Sequence, residues 1–174
     1  MPILSPNDLE LISHNAEQTR RMGMRLGSLL NCGDLIALRG DLGSGKTTLM
    51  QGIAAGWGSL DMVTSPTFVL VNVYQRAQHS QEMCSLFHLD TYRLMGTVQQ
   101  VLAQAVDLDI ETMLTTGILV VEWAERVLEV LPKEMLHIQL TYMDEEQRDF
   151  IISAKGSHYE KMIAELRLMT YGSM

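Results

Sequence analysis

The sequence predicts an α/β fold in three layers, with a mixed sheet of parallel centre and antiparallel hairpins between two helical faces. Three observations carry this reading. The apolar run Leu35–Leu38 is followed by a glycine-rich turn and a helix-forming stretch, so a buried strand feeds a helix through a loop. Such a unit must cross over right-handed into a parallel neighbour. Two further pairs of strand-like segments are separated by short polar turns, which adds antiparallel hairpins. No linker, low-complexity tract or repeat divides the 174 residues, so residues 1–174 read as a single domain.

The elements follow in order. After a short apolar stretch, Leu9–Ile12, the segment Asn15-Ala-Glu-Gln18 reads as a capping box opening a helix whose Met22, Leu26, Leu29 and Leu30 share one face. Cys32-Gly33-Asp34 ends it, and the strand Leu35–Leu38 begins. Beyond the turn Gly40–Gly45, Lys46–Ala55 continues as a helix closed by Gly56 and Gly58. Thr67–Tyr74 and Cys84–Leu89 read as a hairpin about the polar turn Arg76–Gln81. Gly96–Leu114 is rich in helix formers, and Gly117 ends it before the apolar strand Ile118–Val121. Glu125–Leu131 reads as a brief helix stopped by Pro132. Leu136, Ile138, Leu140 and Tyr142 then alternate with polar residues, as in a half-buried strand. Its expected partner is Arg148–Ser153 across the turn Met143–Gln147, with a closing helix from Ser157 to Met169.

Composition narrows the function classes. With 47% hydrophobic and 20% charged residues the chain can bury a core, which excludes intrinsic disorder. Its longest apolar runs, Phe68–Val71 and Ile118–Val121, fall far short of the ~18–20 residues that span a bilayer, and Met1–Ser13 lacks a basic segment before an apolar one. A cytoplasmic protein without membrane contact is expected. Thirteen Lys and Arg against twenty-one Asp and Glu give a net charge of −8, which disfavours direct binding of a nucleic acid. Cys32 and Cys84 have neither CxxC spacing nor a histidine cluster, so two reduced thiols are expected rather than a zinc site or disulfide framework.

One motif carries the chemistry. Gly40-Asp41-Leu42-Gly43-Ser44-Gly45-Lys46-Thr47 satisfies G-x-x-x-x-G-K-[ST] between a strand and a helix, and so predicts a P-loop NTPase-like fold. Glycines let successive N–H groups face phosphates, Lys46 supplies a charge for the β/γ-phosphates, and the Thr47 hydroxyl can ligate Mg²⁺. The metal also needs a carboxylate at a neighbouring strand end, and both Asp90, ending Leu86–Leu89, and Glu122, ending Ile118–Val121, qualify. Between loop and hairpin, Pro66 holds the backbone extended, and Ser65 and Thr67 read either as ordinary turn residues or as switch-loop candidates for the γ-phosphate. His88 reads as a hydrogen-bonded core or rim residue. Trp123 is suited to packing or to stacking on a nucleotide or partner, and Arg93 to an anion or a surface ion pair. No guanine-reading NKxD is present, which favours ATP over GTP.

Four segments in order resemble the TsaE (YjeE-type) family: Gly40 to Thr48, Ser65-Pro-Thr-Phe68 with Val71-Asn-Val-Tyr74, Phe87-His-Leu-Asp90-Thr-Tyr-Arg-Leu94, and Val121-Glu-Trp123. The resemblance implies a partner-dependent ATPase of tRNA threonylcarbamoyladenosine biosynthesis, acting with ATP and Mg²⁺ beside the TsaD–TsaB complex. In that complex TsaD modifies adenosine 37 of tRNAs that read ANN codons, and tRNA would be met only indirectly. Carried onto this chain, it makes Lys46 the phosphate clamp, Gly40 to Thr48 the nucleotide cradle, Thr47 and Glu122 the Mg²⁺ site, and Asp90 the orienter of the attacking water or metal shell. Ser65 and Thr67 become the switch loop, and Arg148 and Trp123 approach the nucleotide. Three departures stand out: Thr91 replaces a usual leucine, Ala124 a usual proline, and Gly96–Asp109 lacks the usual Glu-Glu-Leu. A small-molecule kinase using Asp90 as base, or a nucleotide-dependent interaction switch, remains a rival reading.

Overall fold

A computed structural model describes residues 5–64, 69–76 and 83–172. Strands β1 (Asp8–Ser13), β2 (Leu35–Arg39), β3 (Val71–Tyr74), β4 (Ser85–Asp90), β5 (Gly117–Glu122), β6 (Met135–Tyr142) and β7 (Arg148–Lys155) form one sheet in the order β1-β7-β6-β2-β5-β4-β3. The centre β6-β2-β5-β4 is parallel, and β3, β7 and β1 add antiparallel edges. The central runs are apolar because both faces are covered: all six residues of β5 are buried.

The helices are α1 (Ala16–Leu29), α2 (Lys46–Trp57), α3 (Val98–Val106), α4 (Ile110–Thr116) and α5 (Ser157–Tyr171). The period of two in β2 separates two cores. Ile36 and Leu38 join Leu26, Leu49, Ile53 and Leu166 under α1, α2 and α5, whereas Leu35 and Ala37 join Val101, Ala105 and Ile110 under α3 and α4. The three-layer mixed α/β class expected from sequence is what forms. Asn15 caps the helix as its sequence indicates, its Oδ1 accepting from the Gln18 N–H at 2.9 Å, but the expected capping box is not closed, since Gln18 Oε1 accepts from the His14 N–H at 2.9 Å instead. Asn15→Ala should cost about 1 kcal/mol, read as a lower urea midpoint with unchanged slope.

Several expectations are corrected. Leu9–Ile12, read from sequence only as an apolar stretch with no element assigned, lies within the edge strand β1. Gly56 does not close α2, which runs on to a left-handed Gly58 (φ 93°); Gly56 packs against the backbone of α1 instead. The stretch 96–114 divides into α3 and α4 because Asp109 turns left-handed (φ 51°) and caps α4 by accepting from the Thr112 N–H. Glu125–Leu131 forms two 3₁₀ turns, residues 124–126 and 128–130, rather than a helix, as suits a stretch too short to repay helix nucleation. The turn expected at Arg76–Gln81 and the start of its strand at Thr67 lie mostly outside the described residues.

Cys32 and Cys84 are joined in a disulfide, not held as two free thiols. The turn before β2 reaches over the start of β5, where the Gly33 N–H donates to Gly117 O at 2.8 Å. That bend brings Cys32 to Cys84 at the head of β4, with a Cα separation of 5.9 Å, within disulfide reach.

Candidate functional site

The site stands at the carboxyl ends of the parallel strands, where open α/β sheets bind their ligands. β2 runs into Gly40, whose backbone passes so close to β6 that an added Cβ would stand 2.5 Å from Leu140 O. The loop then climbs to Gly45, in the left-handed region (φ 101°) where glycine is at ease, and α2 begins at Lys46. Gly45 offers no side-chain cap, so the free N–H groups of the first turn of α2 face the cavity mouth as an anion-binding end. Ser44 Oγ is buried with no hydrogen-bond partner among the described residues.

Lys46 is buried and folded onto its own loop. Its Nζ donates to Gly40 O at 2.7 Å and Asp41 O at 2.9 Å, and lies 4.2 Å over the Trp123 ring. Burial pushes the Lys46 pKa down, opposed by the negative charges of Glu122, Glu125, Asp90 and Asp41. Asp90 and Glu122 end adjacent parallel strands in register, so both carboxylates reach the same rim. Asp90 Oδ1 accepts from the Tyr92 N–H at 2.9 Å, and burial raises the Asp90 pKa, with the Glu122 charge adding to the rise. Glu122 is 4% exposed, and its Oε1 meets His88 Nε2 at 2.8 Å.

A cavity of about 350 Å³ joins these groups. Lys46, Thr47, Asp90, Glu122, Trp123 and Arg148 line it, with Leu42, Gly43, Gly45, Thr48, Tyr92 and Arg93 around them. Trp123 adopts a left-handed backbone (φ 56°) that swings its ring across the mouth, 5.1 Å from that of Tyr92. Arg148 donates to Asp144 O and Gln147 O and stacks 4.6 Å over the Tyr142 ring, beside Gly45. The structure thus gathers the P-loop, both strand-end carboxylates, Trp123, Arg93 and Arg148 at one opening. Ser65 and Thr67 lie outside the described residues.

Sequence reading missed the groups that brace this rim. Arg126 donates through Nη1 to Thr91 O and Tyr92 O and through Nη2 to Leu94 O, pinning the turn after Asp90. Thr91, which departs from the usual leucine, is fully buried; its hydroxyl donates to Trp123 O at 2.7 Å and lies 3.1 Å from Glu122 O, tying the two carboxylate-bearing strand ends. These contacts link residues 31 to 35 positions apart, so no local pattern signals them. Ala124, another departure, is buried at the start of its 3₁₀ turn.

The fit of a nucleotide and metal can be judged from these groups. A buried lysine held by its own loop, an orphaned buried hydroxyl at Ser44 and an uncapped helix start are what a phosphate chain would satisfy. Among the described residues no cluster of three His, Cys, Asp or Glu side chains could hold a metal. Thr47 and the two rim carboxylates match the habit of Mg²⁺, which binds through one or two protein groups together with substrate phosphates.

Comparison with known proteins is consistent with this geometry. Residues 13–150 match the family described as threonylcarbamoyl adenosine biosynthesis protein TsaE. The tRNA threonylcarbamoyladenosine biosynthesis protein TsaE of Bacillus subtilis is 33% identical over 87% of this chain and 89% of its own, and that of a Nostoc species 37% identical over 85% and 87%. The crystal structure of Bacillus subtilis YdiB superposes with a TM-score of 0.72 at 28% identity, covering 94% of this chain and 96% of that one. No helix among the described residues is long and apolar enough to cross a membrane.

Proposed function

Because this chain belongs to the TsaE family, we propose that it serves tRNA threonylcarbamoyladenosine biosynthesis as an ATPase, binding ATP with Mg²⁺ and hydrolysing it to ADP and phosphate beside the TsaD–TsaB complex. The observation that carries the reading is Lys46. It is a buried cation at a helix start, held by two neutral backbone carbonyls and the Trp123 ring and acted on by the negative charges of Glu122, Glu125, Asp90 and Asp41, and so suited to phosphate oxygens. Residues 40–48 would cradle the phosphates, with Thr47 and Glu122 on the metal and Asp90 orienting the attacking water. Bound Mg²⁺ supplies charge that neutralises the phosphates. Trp123 and Tyr92 offer ring faces at the mouth, and Arg148 and Arg93 add positive charge there.

Catalysis would rest on positioning and electrostatics, with little covalent chemistry from the protein. Phosphate release from ATP and Mg²⁺, measured with and without TsaD and TsaB, tests the reading. Slow turnover alone, stimulation by the pair, and loss of both in Lys46→Ala are expected. Release that survives Lys46→Ala would remove the assignment of this site.

A further inference from the structure

We infer that His88 is a positioning residue for the Glu122 carboxylate. The inference rests on the proposed ATPase reading and deepens it. His88 and Asp90 point to the same face of β4, and Glu122 sits beside Asp90 on the adjacent strand β5. His88 is fully buried, and its Nε2 lies 2.8 Å from Glu122 Oε1, the one side-chain hydrogen bond found at that carboxylate among the described residues.

The chemistry of the pair fixes its direction. An ionised carboxylate only accepts, so the imidazole must carry its proton on Nε2 and aim it at Oε1. The other ring nitrogen, Nδ1, is buried with no hydrogen-bond partner among the described residues. A proton there would be an orphaned donor in an apolar strand, whereas a bare lone pair costs less to leave unmet. The Tyr74 ring flanks the imidazole at 6.3 Å, and the Tyr74 hydroxyl donates to Thr64 O at 3.3 Å, so the residue just before the switch-loop segment is tied to the ring beside His88. His88 therefore spends its single donor on holding Glu122 toward the rim. Without it the carboxylate is free to turn onto Lys46, which lines the same cavity and feels its charge.

The test is a double-mutant cycle on ATP turnover in the presence of TsaD and TsaB, with ATP affinity measured alongside. His88→Ala should lower kcat by about 10–100-fold, the usual consequence of removing a supporting hydrogen bond, with ATP affinity unchanged. His88→Gln, whose side-chain amide can still donate, should recover most of the rate. In the Glu122→Gln background, His88→Ala should cost nothing further, because the group it positions is already lost. Full activity in His88→Ala, losses that multiply in the double variant, or no recovery with glutamine would overturn the inference. If wild type shows no Lys46-dependent hydrolysis, the ATPase reading fails by itself. The positioning claim is then judged by ¹⁵N NMR of the imidazole: a proton on Nε2 that is lost or shifted in Glu122→Gln upholds it, and a proton on Nδ1 ends it.

Discussion

Lys46→Ala is expected to abolish the thermal stabilisation that ATP gives this protein. A ligand at about 100 times its dissociation constant adds roughly 2.7 kcal/mol to the folded state, worth about 5–10 °C for a chain of this length. Lys46 has no solvent to leave, since it is already buried on Gly40 O and Asp41 O. Exchanging two neutral acceptors for phosphate oxygens turns a desolvated cation into a charge-assisted pair. Alanine removes that gain and should leave a shift near zero at the same ATP concentration, with phosphate release down by about 10²–10³-fold.

The same burial gives a sign for pH. Because the folded pKa of Lys46 lies below its ordinary value of 10.5, the unfolded chain binds more protons across the interval between them. Stability of the nucleotide-free protein should rise with pH through that interval, and the rise should shrink in Lys46→Ala. Denaturation midpoints measured from neutral pH upward read this directly. A shift with ATP that persists in Lys46→Ala would show that the phosphates bind elsewhere.

What the sequence made legible follows from how local each constraint is. Eight consecutive residues, Gly40 to Thr47, must wrap one phosphate chain, so loop, strand and helix could be read together. Asp90 and Glu122 were legible because each ends an apolar run, and parallel pairing sets them side by side. The structure puts both at the rim of one cavity. Long-range partners stayed hidden. His88 to Glu122, Arg126 to the turn after Asp90, and Cys32 to Cys84 join segments 34, 32 to 35, and 52 residues apart, and spacing alone carries no trace of them. Local errors had local causes: the 3₁₀ turns after Trp123 lack the length for an α-helix, and Gly56 looked like a stop because a helix-packing glycine and a capping glycine are the same letter.

That glycine leads to the largest stability effect expected. Gly23 and Gly27 on α1 face Gly52 and Gly56 on α2, and the two backbones meet with no side chain between them. A Cβ added at Gly56 would stand 2.0 Å from Met24 O, and one at Gly52 2.2 Å from Arg20 O. Both obstacles are backbone atoms, so no rotamer change can clear them; the helices must part. Gly56→Ala gains about 1 kcal/mol of helix propensity but should still lose about 2–3 kcal/mol net, since overpacking a close helix pair also opens the core that Leu26, Leu49 and Ile53 fill. That is a fall of about 5–10 °C in Tm. Trimming Met24 to alanine should not restore it, because the clash is with the carbonyl and not the side chain. A Gly56→Ala protein as stable as wild type would show that α1 and α2 do not approach this closely. Since Gly56 sits at the far end of α2 from Lys46, Thr47 and Thr48, ATP affinity measured well below the melting transition should change little. The packing that holds α2 and the chemistry at its start would then separate into two measurements on one helix.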